Sequence, residues 1–160
     1  MKEKEILRHT SRTFFLTLRL LPQSVRPDAT LGYMLARATD TLADTSAAEP
    51  ALRLELLRSA RASLGQMEIP GFVPDEWTVH QRDPAEARLL GRLPALWRRM
   101  HGLDASARAR LELLMGKILE GQVFDLERFG PEAAPLSDEE LERYTYLVAG
   151  SVGEFWTQLC

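Results

Sequence analysis

The sequence has a single cysteine, no long apolar run and no excess of positive charge. Cys160 has no second cysteine with which to pair, and the amino terminus carries no apolar region of the secretory type. Charged residues interrupt every apolar stretch, as Arg19 does in LTLRLLP, so no segment reaches the length of a bilayer span. These absences predict an intracellular, cytoplasmic protein whose contact with a membrane is at most peripheral.

The formal net charge of -3 and the sequence pI of 5.7 argue against nucleic acid as a partner. A protein that binds nucleic acid through its backbone phosphates needs a basic surface, which this composition does not supply. The remaining partners are small molecules or other proteins. A length of 160 residues, with 45% hydrophobic and 27% charged residues, is typical of one soluble domain.

Apolar residues recur with helical spacing through most of the chain, which predicts an all-α fold. Capping-box patterns at Asp83 and Ser137 predict two helix starts, the first of these helices with a kink at Pro94. Residues 65–83 hold two prolines and two glycines and are predicted to form a loop. The other predicted helices cover residues 3–21, about 23 or 27 to 45, 51–64 and 103–129, and the last runs from Ser137 to the end.

The stretch GYMLARATDTLADT places four polar side chains on one face of its helix. At about 100° per residue, Tyr33, Arg37, Asp40 and Asp44 fall within roughly 60°. One interpretation is a solvated face on which Arg37 pairs with Asp40. The other is a cation site, because carboxylates one turn apart can bind Mg²⁺ together with substrate phosphates, and arginine offers a planar fork to the same phosphates.

The opposite face of the same helix carries an apolar stripe, which we predict to be buried. Its residues are Leu31, Met34, Leu35, Ala38 and Leu42.

Four separated blocks of the sequence resemble the amino-terminal half of the squalene and phytoene synthase family. They are SRTFFLTLRLLP, the Tyr33-x3-Arg37-x2-Asp40-Thr41-x2-Asp44 pattern, GQVFDLERF and YTYLVAGSVGEF, in the order of the family. The segment TDTLAD is more similar to squalene synthases, whereas VAGSVGE is also compatible with phytoene and dehydrosqualene synthases. The resemblance implies an isoprenoid-synthase helical bundle in which the polar face lines a central cavity.

The activity that the resemblance implies is the head-to-head coupling of two allylic prenyl diphosphates. Farnesyl or geranylgeranyl diphosphate would react through a cyclopropylcarbinyl diphosphate to give squalene, dehydrosqualene or phytoene. Mg²⁺ bound with the substrate diphosphate is the implied cofactor, and NADPH is added if squalene is the product. The sequence does not decide between these products or fix the substrate chain length, and product release would bring the protein into peripheral contact with a membrane.

Family resemblance also assigns roles to individual residues. Asp40 and Asp44 match the first aspartate-rich motif and would bind Mg²⁺. Ser11, Arg12 and Arg37 would lie beside the diphosphate, and Arg37 would take part in catalysis as well.

The resemblance also gives Tyr33 and Tyr144 catalytic roles, and it places Val148 and Ser151 on the cavity wall. The small residues of the VAGSVGE segment have an alternative role in close helix packing. Asp125 lies in a block whose spacing is compressed relative to the family, which leaves its role open. The three histidines show no metal-ligand spacing and are interpreted as loop or helix-surface residues.

The family carries a second aspartate-rich motif after the VAG segment, and this chain ends at Cys160 before reaching one. We therefore expect residues 1–160 to be the amino-terminal portion of a single helical domain that is truncated and inactive alone. Two alternatives stay open. The chain could be a non-catalytic module of the same family, binding prenyl diphosphate or lipid or acting as an assembly factor, or a purely structural helical domain.

Overall fold

The computed structural model describes residue 5 and residues 9–10, 14–45, 48–79, 81–129 and 134–159. These residues form helices joined by short connections and contain no strand, which confirms the all-α prediction. In chain order the elements are α1 (Phe14–Leu20), α2 (Arg26–Asp44), α3 (Pro50–Ala62), α4 (Pro74–Thr78), α5 (Pro84–Gly91), α6 (Leu93–His101), α7 (Ala105–Arg128), α8 (Asp138–Thr145), a π-helical turn (Tyr146–Gly150) and α9 (Ser151–Leu159).

Both predicted capping motifs fix the start of a helix. The Asp83 carboxylate accepts a hydrogen bond of 2.7 Å from the Ala85 backbone N–H at the start of α5. At the start of α8, the Glu140 N–H donates to Ser137 Oγ at 3.2 Å, and the Ser137 N–H donates to Glu140 Oε2 at 2.9 Å. Such reciprocal bonds satisfy backbone donors that have no partner inside the helix.

Three predicted boundaries were wrong. The segment predicted as a loop contains the short helix α4, which starts at Pro74 and buries Trp77. The predicted kink at Pro94 is a break between α5 and α6 at Arg92, and Pro94 lies in the first turn of the second helix, where its missing N–H costs nothing. The last helix is interrupted by the π-helical turn.

Helix α7 contacts α2, α3, the π-helical turn and α9. The apolar stripe predicted on α2 is fully buried, with each of its five side chains at most 1% exposed. Gly32 lets α2 approach α7 closely, since a Cβ there would lie 3.0 Å from Leu111 Cδ2. None of the described helices combines the length and the apolar character that a membrane span requires.

Trp97 is the largest side chain that is completely buried, and its indole Nε1 donates to the Gln66 carbonyl at 2.9 Å. The bond ties α6 to the connection that follows α3. His101 lies one turn further along α6 with its side chain only 5% exposed and its Nδ1 3.8 Å from Glu112 Oε1. The surface interpretation of this histidine was therefore wrong. His80 lies outside the described residues.

Candidate functional site

Helices α2, α7 and α9 and the π-helical turn enclose a cleft of about 250 Å³. Arg37 and Asp40 bring charge to one wall, and the other walls are mainly apolar. The lining residues are Tyr33, Ala36, Arg37, Asp40, Ile118, Gln122, Val148 and Val152. The cleft therefore combines a charged end with apolar walls, which suits a ligand that has both a charged and a hydrocarbon part.

Arg37 is held between two carboxylates. Its Nη1 donates to Asp40 Oδ2 and its Nη2 donates to Glu86 Oε1, each at 2.5 Å. Burial disfavours the charge of Arg37, but Asp40 and Glu86 outweigh it and raise the pKa of the guanidinium. The buried Nε has no hydrogen-bond partner among the described residues. The arginine is thus fixed in its charged form and keeps one donor for an additional acceptor.

Asp44 lies one turn beyond Asp40, at the end of α2. Partial burial, with the charges of Asp40 and Asp125, raises the pKa of the Asp44 carboxyl, and Arg37 and Arg53 oppose the shift. No hydrogen bond or ion pair joins Asp44 to any other described residue. Burial and nearby negative charge disfavour the ionised form of this carboxyl. A bound cation would stabilise that ionised form.

Asp40, Asp44 and Asp125 have side chains of the kind that binds Mg²⁺, because this ion prefers carboxylate oxygens as ligands. Across the described ranges, however, no group of three or more acidic, histidine or cysteine side chains is arranged to hold a metal by itself. A cation bound by Asp40 and Asp44 would therefore need ligands from water and from the bound molecule. The oxygens of a diphosphate are suitable ligands of this kind.

Tyr144 connects α8 to the same group of carboxylates. Its hydroxyl donates to Asp125 Oδ1 at 2.7 Å, and its ring stacks on Phe124 at 5.6 Å and meets Phe129 edge-on at 5.3 Å. Burial, the hydrogen bond to Asp125 and the charges of Asp125 and Asp44 raise the pKa of Tyr144 to about 12. The phenol is therefore a neutral hydrogen-bond donor at physiological pH.

Tyr33 and Val148 face the cleft, whereas Ser151 does not. The Tyr33 hydroxyl donates to the Thr10 carbonyl at 3.3 Å. Ser11 and Arg12 lie outside the described residues. Val148 lines the cleft with its side chain 46% exposed.

Ser151 is buried, donates to the Leu147 carbonyl at 2.8 Å and is not among the residues that line the cleft. Gly121 allows the π-helical turn to approach α7, because a Cβ there would lie 3.2 Å from Val148 Cγ1.

The sequence analysis did not predict one residue of the site and left the role of another open. Glu86 contacts Arg37 from α5, 49 residues further along the chain, and the capping-box pattern that contains Glu86 predicted a helix start but not this contact. Asp125 was left open because of its compressed spacing, yet its hydrogen bond to Tyr144 brings it into the site. A weak signal for Asp125 existed, since it and Tyr144 lie in two neighbouring blocks of the same family resemblance.

The charge of Asp125 is expected to control the ionisation of Tyr144. In an Asp125→Asn variant we expect the pKa of Tyr144 to fall below its value of about 12, because the negative charge that opposes phenolate formation is gone, while burial keeps it above the ordinary value. NMR titration of ¹³Cζ-labelled tyrosine measures this shift. Glu127→Gln removes the same charge from a side chain on α7 that does not contact Tyr144. An unchanged Tyr144 titration in Asp125→Asn would contradict the expectation.

Without a bound cation, the Asp44 charge is expected to destabilise the fold. The pKa of Asp44 is raised in the folded state, so its contribution favours folding at acidic pH and is lost as pH rises through the folded pKa. At neutral pH, Asp44→Asn should raise the free energy of unfolding by less than about 1 kcal/mol, since the residue is partly solvated.

Urea denaturation in the presence of EDTA measures this difference, with Glu139→Gln, an exposed acid on α8, as the matched control. The difference between Asp44→Asn and the unaltered chain should disappear near pH 3, where the carboxyl is protonated in both states. A variant less stable than the unaltered chain at neutral pH would show that the Asp44 charge is already compensated.

Comparison with known proteins gives two findings. The family model described as squalene/phytoene synthase matches residues 7–160. A curated protein of Blakeslea trispora, a bifunctional lycopene cyclase/phytoene synthase, is 30% identical over an alignment of 159 residues, and the match covers 97% of this chain and 24% of that protein. The chain therefore spans about a quarter of the length of this relative.

Proposed function

The chain belongs to the squalene/phytoene synthase family, and from this premise we propose that it supplies part of a prenyltransferase site that couples two allylic prenyl diphosphates head to head. The observation that carries the proposal is a partly apolar cleft lined by Arg37 and Asp40. Next to it on the same helix, Asp44 interacts electrostatically with Asp40 and with Asp125, which accepts a hydrogen bond from Tyr144. A solvated helix face would need neither a partly buried guanidinium held between two carboxylates nor a phenol bonded to a further acidic group.

In the proposed site, Arg37 binds the diphosphate through its buried Nε and through the nitrogens that now contact Asp40 and Glu86. Asp40 and Asp44 hold Mg²⁺, which when bound stabilises the charge of the departing diphosphate. We propose that Ser11 and Arg12 contact the diphosphate as well.

Tyr144 remains protonated, and its hydroxyl, which donates to Asp125 in the free chain, would turn to donate a hydrogen bond to a diphosphate oxygen and so stabilise the departing group. The Tyr33 hydroxyl lies at the edge of the cleft and can contact the same group.

The apolar walls have a separate role in this chemistry. Ionisation of an allylic diphosphate leaves a carbocation that water would capture, and the side chains of Ile118, Val148 and Val152 exclude water from one side of the cleft. The proposed substrates are farnesyl and geranylgeranyl diphosphate. The proposed product is squalene, dehydrosqualene or phytoene, and NADPH is a reactant only if the product is squalene.

The size of the cleft limits what this chain does alone. About 250 Å³ is below the roughly 300–1,000 Å³ of pockets that enclose a drug-sized ligand, and two prenyl diphosphates are larger than one such ligand. We therefore propose that these residues form one side of the site, with one of two carboxylate groups, and that turnover requires another helical segment to close the cavity.

A second candidate function is binding without turnover, as in a prenyl-diphosphate-binding or assembly-factor-like module. The observation that favours it is the lack, in the described part of the chain, of any three-ligand metal group. Both candidates predict binding of a prenyl diphosphate, and only the synthase predicts formation of a C–C bond when the missing wall is restored.

Isothermal titration with a non-hydrolysable farnesyl diphosphate analogue tests the binding that both candidates share. We expect saturable binding in the presence of Mg²⁺ and much weaker binding in EDTA, because the carboxylates repel a diphosphate unless a cation lies between them. Farnesol, which lacks the diphosphate, is the matched control ligand. Equal affinity with and without Mg²⁺, or equal affinity for farnesol, would contradict the proposed site.

A further inference from the structure

A second and larger cavity, of about 590 Å³, lies between α3 and residues 70–77. It shares no lining residue with the cleft that contains Arg37 and Asp40. Its volume falls within the roughly 300–1,000 Å³ that is typical of small-molecule sites. Neither the proposed prenyl coupling nor any motif in the sequence uses it.

Hydrogen bonds on both sides hold the walls of this cavity in place. Ser59 Oγ on α3 donates to the Pro70 carbonyl at 2.8 Å. On the other side, the Gln81 side-chain amide donates to Thr45 Oγ1 at 2.9 Å and to the Trp77 carbonyl at 3.3 Å, which ties α4 to the end of α2. These hydrogen bonds join α3 to residue 70 and α4 to the end of α2.

The inner wall is hydrophobic. Leu56 and Trp77 contribute side chains that are 5% and 4% exposed, and Leu52 at the mouth is 51% exposed. A half-exposed leucine next to an indole and to Pro70 offers apolar surface that is still in contact with water. Covering it with a hydrocarbon group would release that water and is favourable.

The rim of the cavity is acidic. Among the described residues that line it, the charged ones are Glu49, Glu55 and Glu76, all exposed, and none is an arginine or a lysine. None of the three carboxylates has a hydrogen bond or ion pair to another described residue. The contrast with Glu120 is clear, because that carboxylate lies within 2.8 Å of both Arg61 and Arg143.

We propose that this acidic cavity binds a small organic cation with a hydrocarbon body, such as an alkylammonium ion. The hydrocarbon would cover the exposed part of Leu52 and pack against the wall to which Leu56 and Trp77 belong, and the cationic head would lie among the three carboxylates, where the electrostatic potential is negative. An anion would be repelled by the same rim. A bare metal ion would leave the apolar wall in water, and no three-ligand metal group occurs in the described ranges.

NMR titration of the ¹⁵N-labelled chain with octyltrimethylammonium, kept below the concentration at which it forms micelles, tests the proposal. We expect saturable shift changes at the amides of Ser59 and Gly71, which line the cavity. Octyl sulfate, with the same hydrocarbon chain and the opposite charge, should cause no saturable change there.

Two variants test the contribution of charge. Glu55→Gln/Glu76→Gln removes two exposed carboxylates from opposite walls and should weaken octyltrimethylammonium binding by about fivefold or more. Glu139→Gln/Glu142→Gln removes the same charge from exposed positions on α8 and should leave the affinity unchanged. Leu52→Asn, at a half-exposed position, should weaken binding through loss of apolar contact.

Three results would overturn the proposal. The first is octyl sulfate binding as tightly as the cation, which would mean that the carboxylates do not select the ligand. The second is equal weakening in the two double variants, which would mean that only net charge matters. The third is a set of shift changes centred on Gly121 and Gly150, near the π-helical turn, instead of on Ser59 and Gly71.

Discussion

A chain that carries Asp40→Asn and Asp44→Asn is expected to lose its Mg²⁺-dependent affinity for the farnesyl diphosphate analogue. Loss of groups that merely orient metal ligands already costs about 10–100-fold in affinity, so removal of two direct ligands should cost at least about 100-fold. The residual affinity should be independent of Mg²⁺ and no lower than that of the unaltered chain in EDTA, because the two carboxylates that repel the diphosphate are gone. Isothermal titration with and without Mg²⁺ measures both values.

Unfolding does not explain such a loss, because the single Asp44→Asn change is expected to stabilise the metal-free chain. Asparagine keeps the size of aspartate and a carbonyl oxygen, and removes only the charge and one acceptor oxygen. The control is Glu139→Gln/Glu142→Gln, which has the same net charge and leaves the cleft intact. If the Asp40/Asp44 variant retained full Mg²⁺-dependent binding, the metal would have to bind elsewhere.

Trp97→Ala is expected to be the most destabilising single change, with a cost of about 3–5 kcal/mol in the free energy of unfolding. The indole is completely buried, so its removal leaves a cavity between α6 and its neighbours and leaves the Gln66 carbonyl without its donor. The total free energy of unfolding of a typical domain is about 5–15 kcal/mol, so this single change would remove a large part of it. Urea denaturation followed by circular dichroism measures the change.

Trp97→Phe separates packing from hydrogen bonding at the same position. It keeps most of the buried ring but loses the Nε1 donor, so we expect a smaller cost, of which about 0.5–1.5 kcal/mol belongs to the hydrogen bond. Trp156, a partly buried tryptophan on α9, provides the comparison. If Trp97→Ala cost no more than Trp156→Ala, the central packing role of Trp97 would be contradicted.

The sequence predicted those features that depend on local chemistry. The two faces of α2 follow from helical periodicity alone, and the start of α8 follows from the hydrogen bonds that Ser137 and Glu140 exchange within one turn. Local rules succeed here because each residue involved contacts others no more than a turn or two away. The same rules do not place one helix against another.

The features that the sequence did not predict are tertiary. Glu86 reaches Arg37 only because α5 packs across α2, and the burial of Trp77 stabilises α4, which is too short to persist by itself. The π-helical turn has no local signal either. It depends on Gly121, which admits the turn close to α7, and on Gly150, where a Cβ would lie 3.0 Å from the Tyr146 ring.

The π-helical turn also has a consequence for how this segment can evolve. A π-helical turn accommodates one residue more than an α-helical turn of the same span, and each residue of a helix corresponds to a rotation of about 100°. Loss of one residue from 146–150 would rotate α8 relative to α9, so that Tyr144 and Phe155 could no longer face Asp125 and the core together. Substitutions at exposed positions of this segment, such as Val148, are therefore more tolerable than a deletion, whereas Gly150 and the buried Leu147 are constrained as well. The length of the segment should be inherited unchanged.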